Sequence, residues 1–154
     1  MKTIPSVHRR NLFVSALAGL GTWLATRSVA AAAPTTPDRA KVVYHLCDRD
    51  KVNFVLGNIQ NHFEGMGGPD KVTIALVVHG PALKAFQREA AGPDVTTRVA
   101  GFAKAGLALA ACGNTMKAQN MTLTDLLPGF VTAEQGGVVR IAELQSQGYV
   151  YLRP

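Results

Sequence analysis

From Lys41 onward, short apolar runs alternate with stretches whose apolar residues recur every three or four positions. Lys41-Val42-Val43-Tyr44-His45-Leu46-Cys47 is rich in β-branched and aromatic residues and reads as a first strand. Val52, Val55, Leu56, Ile59 and Phe63 then share one face of a helix, with Asp48 or Asp50 as its N-cap. Gly65-Met66-Gly67-Gly68-Pro69 breaks that helix. Val72 to Val78 is a continuous apolar run, as in a strand covered on both faces.

Pro81 suits the first turn of a helix carrying Leu83, Ala85 and Phe86. Val95, Val99 and Phe102 predict another helix from Asp94 to Lys104. Leu107 to Cys112 is a third buried strand. Thr122 and Asp125 make an acidic capping box before a short helix from Leu123 to Leu127. Phe130 to Ala133 is a weak fourth strand, Val138 to Gln147 a helix closed by Gly148, and Tyr149 to Leu152 the last strand.

Strands alternating with helices predict an α/β fold. The expected architecture is a three-layer α/β/α sandwich around a mostly parallel five-stranded sheet. The length of 154 residues fits one such domain, and no internal repeat is visible.

The N-terminal stretch has a different pattern. Lys2, His8, Arg9 and Arg10 form a basic head, Leu12 to Leu24 an apolar run, and Ser28-Val29-Ala30-Ala31-Ala32-Ala33 a small-residue tail. Residues 1–33 therefore read as a cleavable export signal. Arg9-Arg10-Asn11-Leu12-Phe13 resembles a twin-arginine motif, although a general secretory route fits as well. The apolar run is too short for a stable membrane anchor. Residues 34–40 are a flexible leader, and 41–154 the folded domain.

Removing this signal changes the charge picture. The full chain carries 16 Lys and Arg against 10 Asp and Glu. Residues 1–30 hold four of the basic residues and no acidic one, so twelve against ten remain, a net of +2. No basic stripe is left to engage nucleic acid. Both cysteines, Cys47 and Cys112, stay with the mature chain, which is expected in the periplasm, an oxidising compartment.

Open parallel sheets bind ligands beyond the carboxyl ends of their strands. Here the first three strands end in Cys47-Asp48, His79-Gly80 and Cys112-Gly113-Asn114. In a flavodoxin-like order they would be neighbours with the first in the middle. Two thiols, an imidazole and an amide would then share one edge. Cys112 stands out, because backbone N–H groups of the following turn can stabilise a thiolate or persulfide anion. A buried packing cysteine is the competing reading.

Cys47 is a candidate disulfide partner or a packing residue, and His79 an acid/base or a carbonyl-bound histidine. His45 shares a strand face with Cys47 and is expected to be buried and hydrogen-bonded. His62 reads as solvated or at an interface, and Asn58 and Asn61 lie a helical turn apart. No dinucleotide fingerprint, P-loop or nucleophile elbow is present. Cys47, Cys112 and His79 match no zinc spacing, so neither a metal nor a cofactor is expected.

Several stretches resemble the DsrE/DsrF-like superfamily, in particular its small single-domain branch. They are Val42-Val43-Tyr44-His45, Leu56-Gly57-Asn58-Ile59-Gln60-Asn61-His62, Val78-His79-Gly80-Pro81, Ala111-Cys112-Gly113-Asn114-Thr115-Met116, Leu126-Leu127-Pro128-Gly129 and Gln147 to Pro154, in that order. The resemblance implies a flavodoxin-like fold and homo-oligomers, often trimers or hexamers. In sulfur-relay members a cysteine matching Cys112 carries persulfide sulfur. Carried over, Cys112 is the sulfur acceptor, with His79 and Asn114 nearby and Cys47 a possible resolving cysteine. Ala82 stands where the family more often has Gly, and Cys47 where it often has a polar residue.

The expected function is that of a periplasmic sulfur carrier working with a donor or acceptor protein. An oligomeric module binding a small ligand or a metal, without turnover, is the alternative.

Overall fold

The computed structural model describes residues 39–154. The expected export signal, residues 1–33, and most of the leader lie outside the described residues. Five strands form one sheet: β1 Ala40–Leu46, β2 Val72–Val78, β3 Ala108–Cys112, β4 Phe130–Ala133 and β5 Val150–Leu152. Every pairing is parallel and the order is β4-β3-β2-β1-β5. The architecture is the expected flavodoxin-like α/β/α sandwich. One expectation is corrected: β2, not β1, stands between the other two of the first three strands.

Among the described residues, the α-helices are α1 Val52–Gly65, α2 Pro93–Lys104, α3 Gly113–Ala118 and α4 Gly137–Ser146. Right-handed crossovers dictate their layers. The chain steps one way from β1 to β4, so α1, α2 and α3 all lie on one face. It then jumps back across the sheet to β5, which puts α4 on the other. The larger core forms under the first face from Tyr44, Leu46, Leu56, Ile59, Leu76, Leu83, Phe86 and Phe102, among others. A smaller core under α4 holds Val43, Ala75, Val77, Ala110, Ile141 and Leu144. Strand residues alternate between the two cores, as a two-residue side-chain period requires.

Three local expectations also change. Residues Gly80–Phe86 and Leu123–Asp125 form 3-10 turns rather than α-helices. The capping box of Thr122 and Asp125 is nevertheless formed. Gly113–Ala118, expected as a turn, is the helix α3. Neither Asp48 nor Asp50 caps α1 with its side chain. Asp48 instead pairs with Arg153. Among the described residues, no helix is long and apolar enough to cross a membrane.

Candidate functional site

The strand alternation that fills the smaller core also aims a row of chemical groups along the sheet's carboxyl edge. Val43 and Ala110 point toward α4, so His45 and Cys47 after Val43, and Cys112 after Ala110, share that face. His79 follows Val77 on the same side. Leu46 pairs with Val78 and Val78 with Ala111. One residue further along, Cys47, His79 and Cys112 form a single row with the imidazole in the middle. Both thiols are free. Two strand spacings, about 10 Å, separate their backbones, whereas a disulfide spans about 7 Å at most. Joining Cys47 to Cys112 within one chain therefore requires the strands to move.

Cys112 closes β3 and serves as the N-cap of α3, its sulfur accepting the Thr115 N–H at 3.5 Å. Thr115 Oγ1 accepts from the Gly80 N–H at 3.0 Å, which leaves its own proton free to point at the sulfur. The start of α4 closes the other side. Gly136 has φ +103°, and a Cβ there would meet Asn114 Nδ2 at 2.8 Å. A Cβ on Gly137 would meet Cys112 Cβ at 3.3 Å and His79 Cβ at 3.4 Å. Two adjacent glycines thus let the α4 backbone come close to the thiol.

Burial pushes the Cys112 thiol up. The Thr115 hydroxyl and the N–H groups of Gly137, Thr115 and Asn114 outweigh it and bring the thiol below its ordinary range. Cys112 is only 6% exposed, so small reagents have the best access. Asn114 contributes its backbone N–H, while its side chain lies against Gly136.

His79 meets the imidazole of the neighbouring strand. Its Nε2 contacts His45 Nε2, and the two rings stack with centroids 4.7 Å apart. His45 Nδ1 is held by the Tyr151 hydroxyl at 2.7 Å. Burial is the largest influence lowering both imidazoles; His79 and then Arg153 add to it at His45, Arg153 adds to it at His79, and Asp48 opposes it at both. His45, expected as a core histidine, is hydrogen-bonded but only half-buried and belongs to the site.

Cys47 Sγ accepts from Arg153 Nη2 at 3.0 Å, and the same nitrogen reaches Asp48 Oδ2 at 3.3 Å. Burial, then Asp48, raises the Cys47 thiol, with Arg153 opposing them. One ligand atom from each of His45, Cys47 and His79 lies within 4.8 Å of the other two. Tyr151 and Arg153 were invisible as site residues in the sequence, because both reach β1 across more than a hundred positions. Their two-residue spacing, Tyr151 in β5 and Arg153 just past it, was the available signal.

On the opposite face of β1, Tyr44 Oη bonds His62 Nδ1 at 2.9 Å. Tyr44, Asn58, Asn61, His62 and Arg153 line an open cleft of about 530 Å³.

The pH dependence of alkylation separates the two thiols. Iodoacetamide reads the thiolate fraction, so each normalised rate reaches half its plateau at that group's pKa. Cys112 is expected below, and Cys47 above, the ordinary thiol midpoint of about 8.5. Peptide mass spectrometry at a series of pH values resolves the two, and coincident midpoints would contradict the geometry.

The chain thus forms an open, all-parallel α/β sheet with two thiols and two imidazoles at its carboxyl edge. A model of the DsrE/DsrF-like family matches residues 44–154, and the chain belongs to that family. No curated protein matches the chain significantly. Among solved structures it is similar to MTH1491 of Methanobacterium thermoautotrophicum, a protein of unknown function. The two are 26% identical, with 75% of this chain and 99% of that one covered and a TM-score of 0.66. It also resembles BT1422 of Bacteroides thetaiotaomicron, a conserved protein of unknown function, at 18% identity over 74% and 95% of the chains, TM-score 0.54. The E. coli ychN protein matches at 10% identity over 74% and 99%, TM-score 0.53. The last two likenesses concern the fold alone.

Proposed function

We propose that the protein is a sulfur carrier that holds sulfane sulfur as a persulfide on Cys112. Membership of the DsrE/DsrF-like family points to a sulfur-relay type of role. The observation that carries the assignment to Cys112 is its place at the N-cap of α3, its sulfur accepting the Thr115 N–H, with the backbone at the start of α4 packed against it. Those groups favour the thiolate needed for attack, and an anionic persulfide gains from the same donors.

In the loading step the Cys112 thiolate attacks the outer sulfur of a donor hydropersulfide. A sulfur–sulfur bond forms to Cys112 as the donor's own sulfur–sulfur bond breaks. The electron pair leaves with the donor thiolate, and the proton stays on the transferred sulfur. No outside oxidant is consumed. Delivery to an acceptor thiolate is the same exchange in reverse. The protein is then a carrier rather than a high-turnover enzyme.

The reading sets the carrier in the periplasm, on the strength of residues 1–33. It also makes the carrier a homo-oligomer, trimer or hexamer, consistent with the exposed Val131, Val138 and Val139. Cell fractionation and light scattering check these two points.

The test of loading is the intact mass of the protein before and after inorganic polysulfide, followed by peptide mapping. A gain of sulfur located on the Cys112 peptide supports the carrier. An unchanged mass, or sulfur located only on the Cys47 peptide, overturns it.

A further inference from the structure

Cys112 takes its donors from α3 and α4, which leaves His45, Cys47, His79, Tyr151 and Arg153 without a task. We propose that His45, Cys47 and His79 form a binding site for a thiophilic metal ion, three-coordinate and selective for Cu(I) over Zn(II). The site stands independently of sulfur loading on Cys112.

Geometry carries the proposal. The three donor atoms converge to within 4.8 Å of one another from two adjacent strands, at the sheet's carboxyl edge beside the β1–β5 reversal of strand order. A bound ion at about 2.0–2.3 Å from each ligand needs donor separations somewhat under 4 Å. Rotation of the three side chains, parting the two imidazole nitrogens and bringing the sulfur in, would supply that geometry. The two Nε2 atoms already face each other, and between neutral imidazoles only one proton fits there. A metal ion takes that proton's place and gives both nitrogens a shared partner. Tyr151 holds the far nitrogen of His45, which is how protein metal sites orient a ligating imidazole.

The choice of metal follows from donor type, number and charge. Two imidazoles and one thiolate are soft enough for Cu(I) or Zn(II). Structural zinc sites take four protein ligands, and three converge here among the described residues. Cu(I) with one thiolate is neutral, whereas Zn(II) would leave a positive charge beside the Arg153 guanidinium, 3.0 Å from the sulfur. Asp48 is held by the same arginine and offers only partial relief.

The test titrates the purified, reduced protein anaerobically with Cu(I) against a chromophoric Cu(I) chelator, and separately with Zn(II). One Cu(I) per chain is expected, bound more tightly than Zn(II). In the unmodified protein, bound Cu(I) is expected to protect Cys47 from iodoacetamide and leave Cys112 as reactive as before. Cys47→Ser and His79→Ala are each expected to weaken binding by roughly 100-fold or more, and Tyr151→Phe by about 10-fold. Cys112→Ser is expected to stay within about threefold of the parent, since Cys112 lies outside the ligand set. Absence of stoichiometric Cu(I) binding overturns the proposal. So does protection of Cys112 in place of Cys47, or tighter binding of Zn(II). The protection experiment needs no variant, so a misfolded mutant does not decide the outcome.

Discussion

Serine in place of Cys112 is expected to abolish sulfur uptake while leaving the fold intact. The two side chains share a Cβ and differ in the atom that meets the donors. A serine oxygen accepts the Thr115 N–H at least as well as sulfur does, and serine is a favoured N-cap for a helix such as α3. Stability should therefore change by no more than about 1 kcal/mol. Chemistry should change completely, because an unassisted hydroxyl does not ionise near neutral pH and cannot attack a sulfane sulfur. Intact mass after polysulfide treatment should show no added sulfur in Cys112→Ser and undiminished loading in Cys47→Ser. The reverse pattern would move the carrier role to Cys47. Equal loading in both variants would mean surface sulfuration without a dedicated carrier.

The second large effect lies in the core. Leu76 is fully buried in β2, the middle strand of the sheet, and packs into the larger core with α1 and α2. Leu76→Ala removes a branched side chain where rigid strands flank it on both sides, so little can collapse into the gap. The expected cost is about 2–5 kcal/mol. That is a large part of the roughly 5–15 kcal/mol that holds a typical domain folded. Urea unfolding followed by circular dichroism should show a much lower midpoint with an unchanged slope. A midpoint within error of the parent would mean that this face of β2 is less tightly packed than the structure has it.

The sequence carried the fold to a large extent, and the reason is periodicity. The runs Val42–Leu46, Val72–Val78 and Leu109–Cys112 are too apolar to lie anywhere but inside a covered sheet. Helices α1, α2 and α4 each repeat an apolar face over at least ten residues. Helix α3 escaped because its six residues are too few to show a period, and its cap is a sulfur rather than an oxygen. Strand order escaped as well. It depends on which neighbour each crossover reaches, and no local pattern encodes that.

The site divides the same way. Cys47, His79 and Cys112 were legible as strand ends on one edge. The turning of His79 toward His45 was not, because it depends on register between β1 and β2. Nor was the part played by Tyr151 and Arg153, which requires knowing that the last strand lies beside the first.

That last pairing has a kinetic consequence. Arg153 meets Cys47, and Tyr151 meets His45, across 106 positions. Loop-closure entropy makes so distant a contact a late event in folding. Until β5 docks, β1 is a bare sheet edge with open N–H and C=O groups, the kind of template that recruits another chain. Tyr151, which orients His45, belongs to the strand that seals this edge, and Arg153, which holds Cys47, follows it directly. Assembly of that half of the site and protection against mispairing are therefore a single event, completed only when the chain has closed on itself.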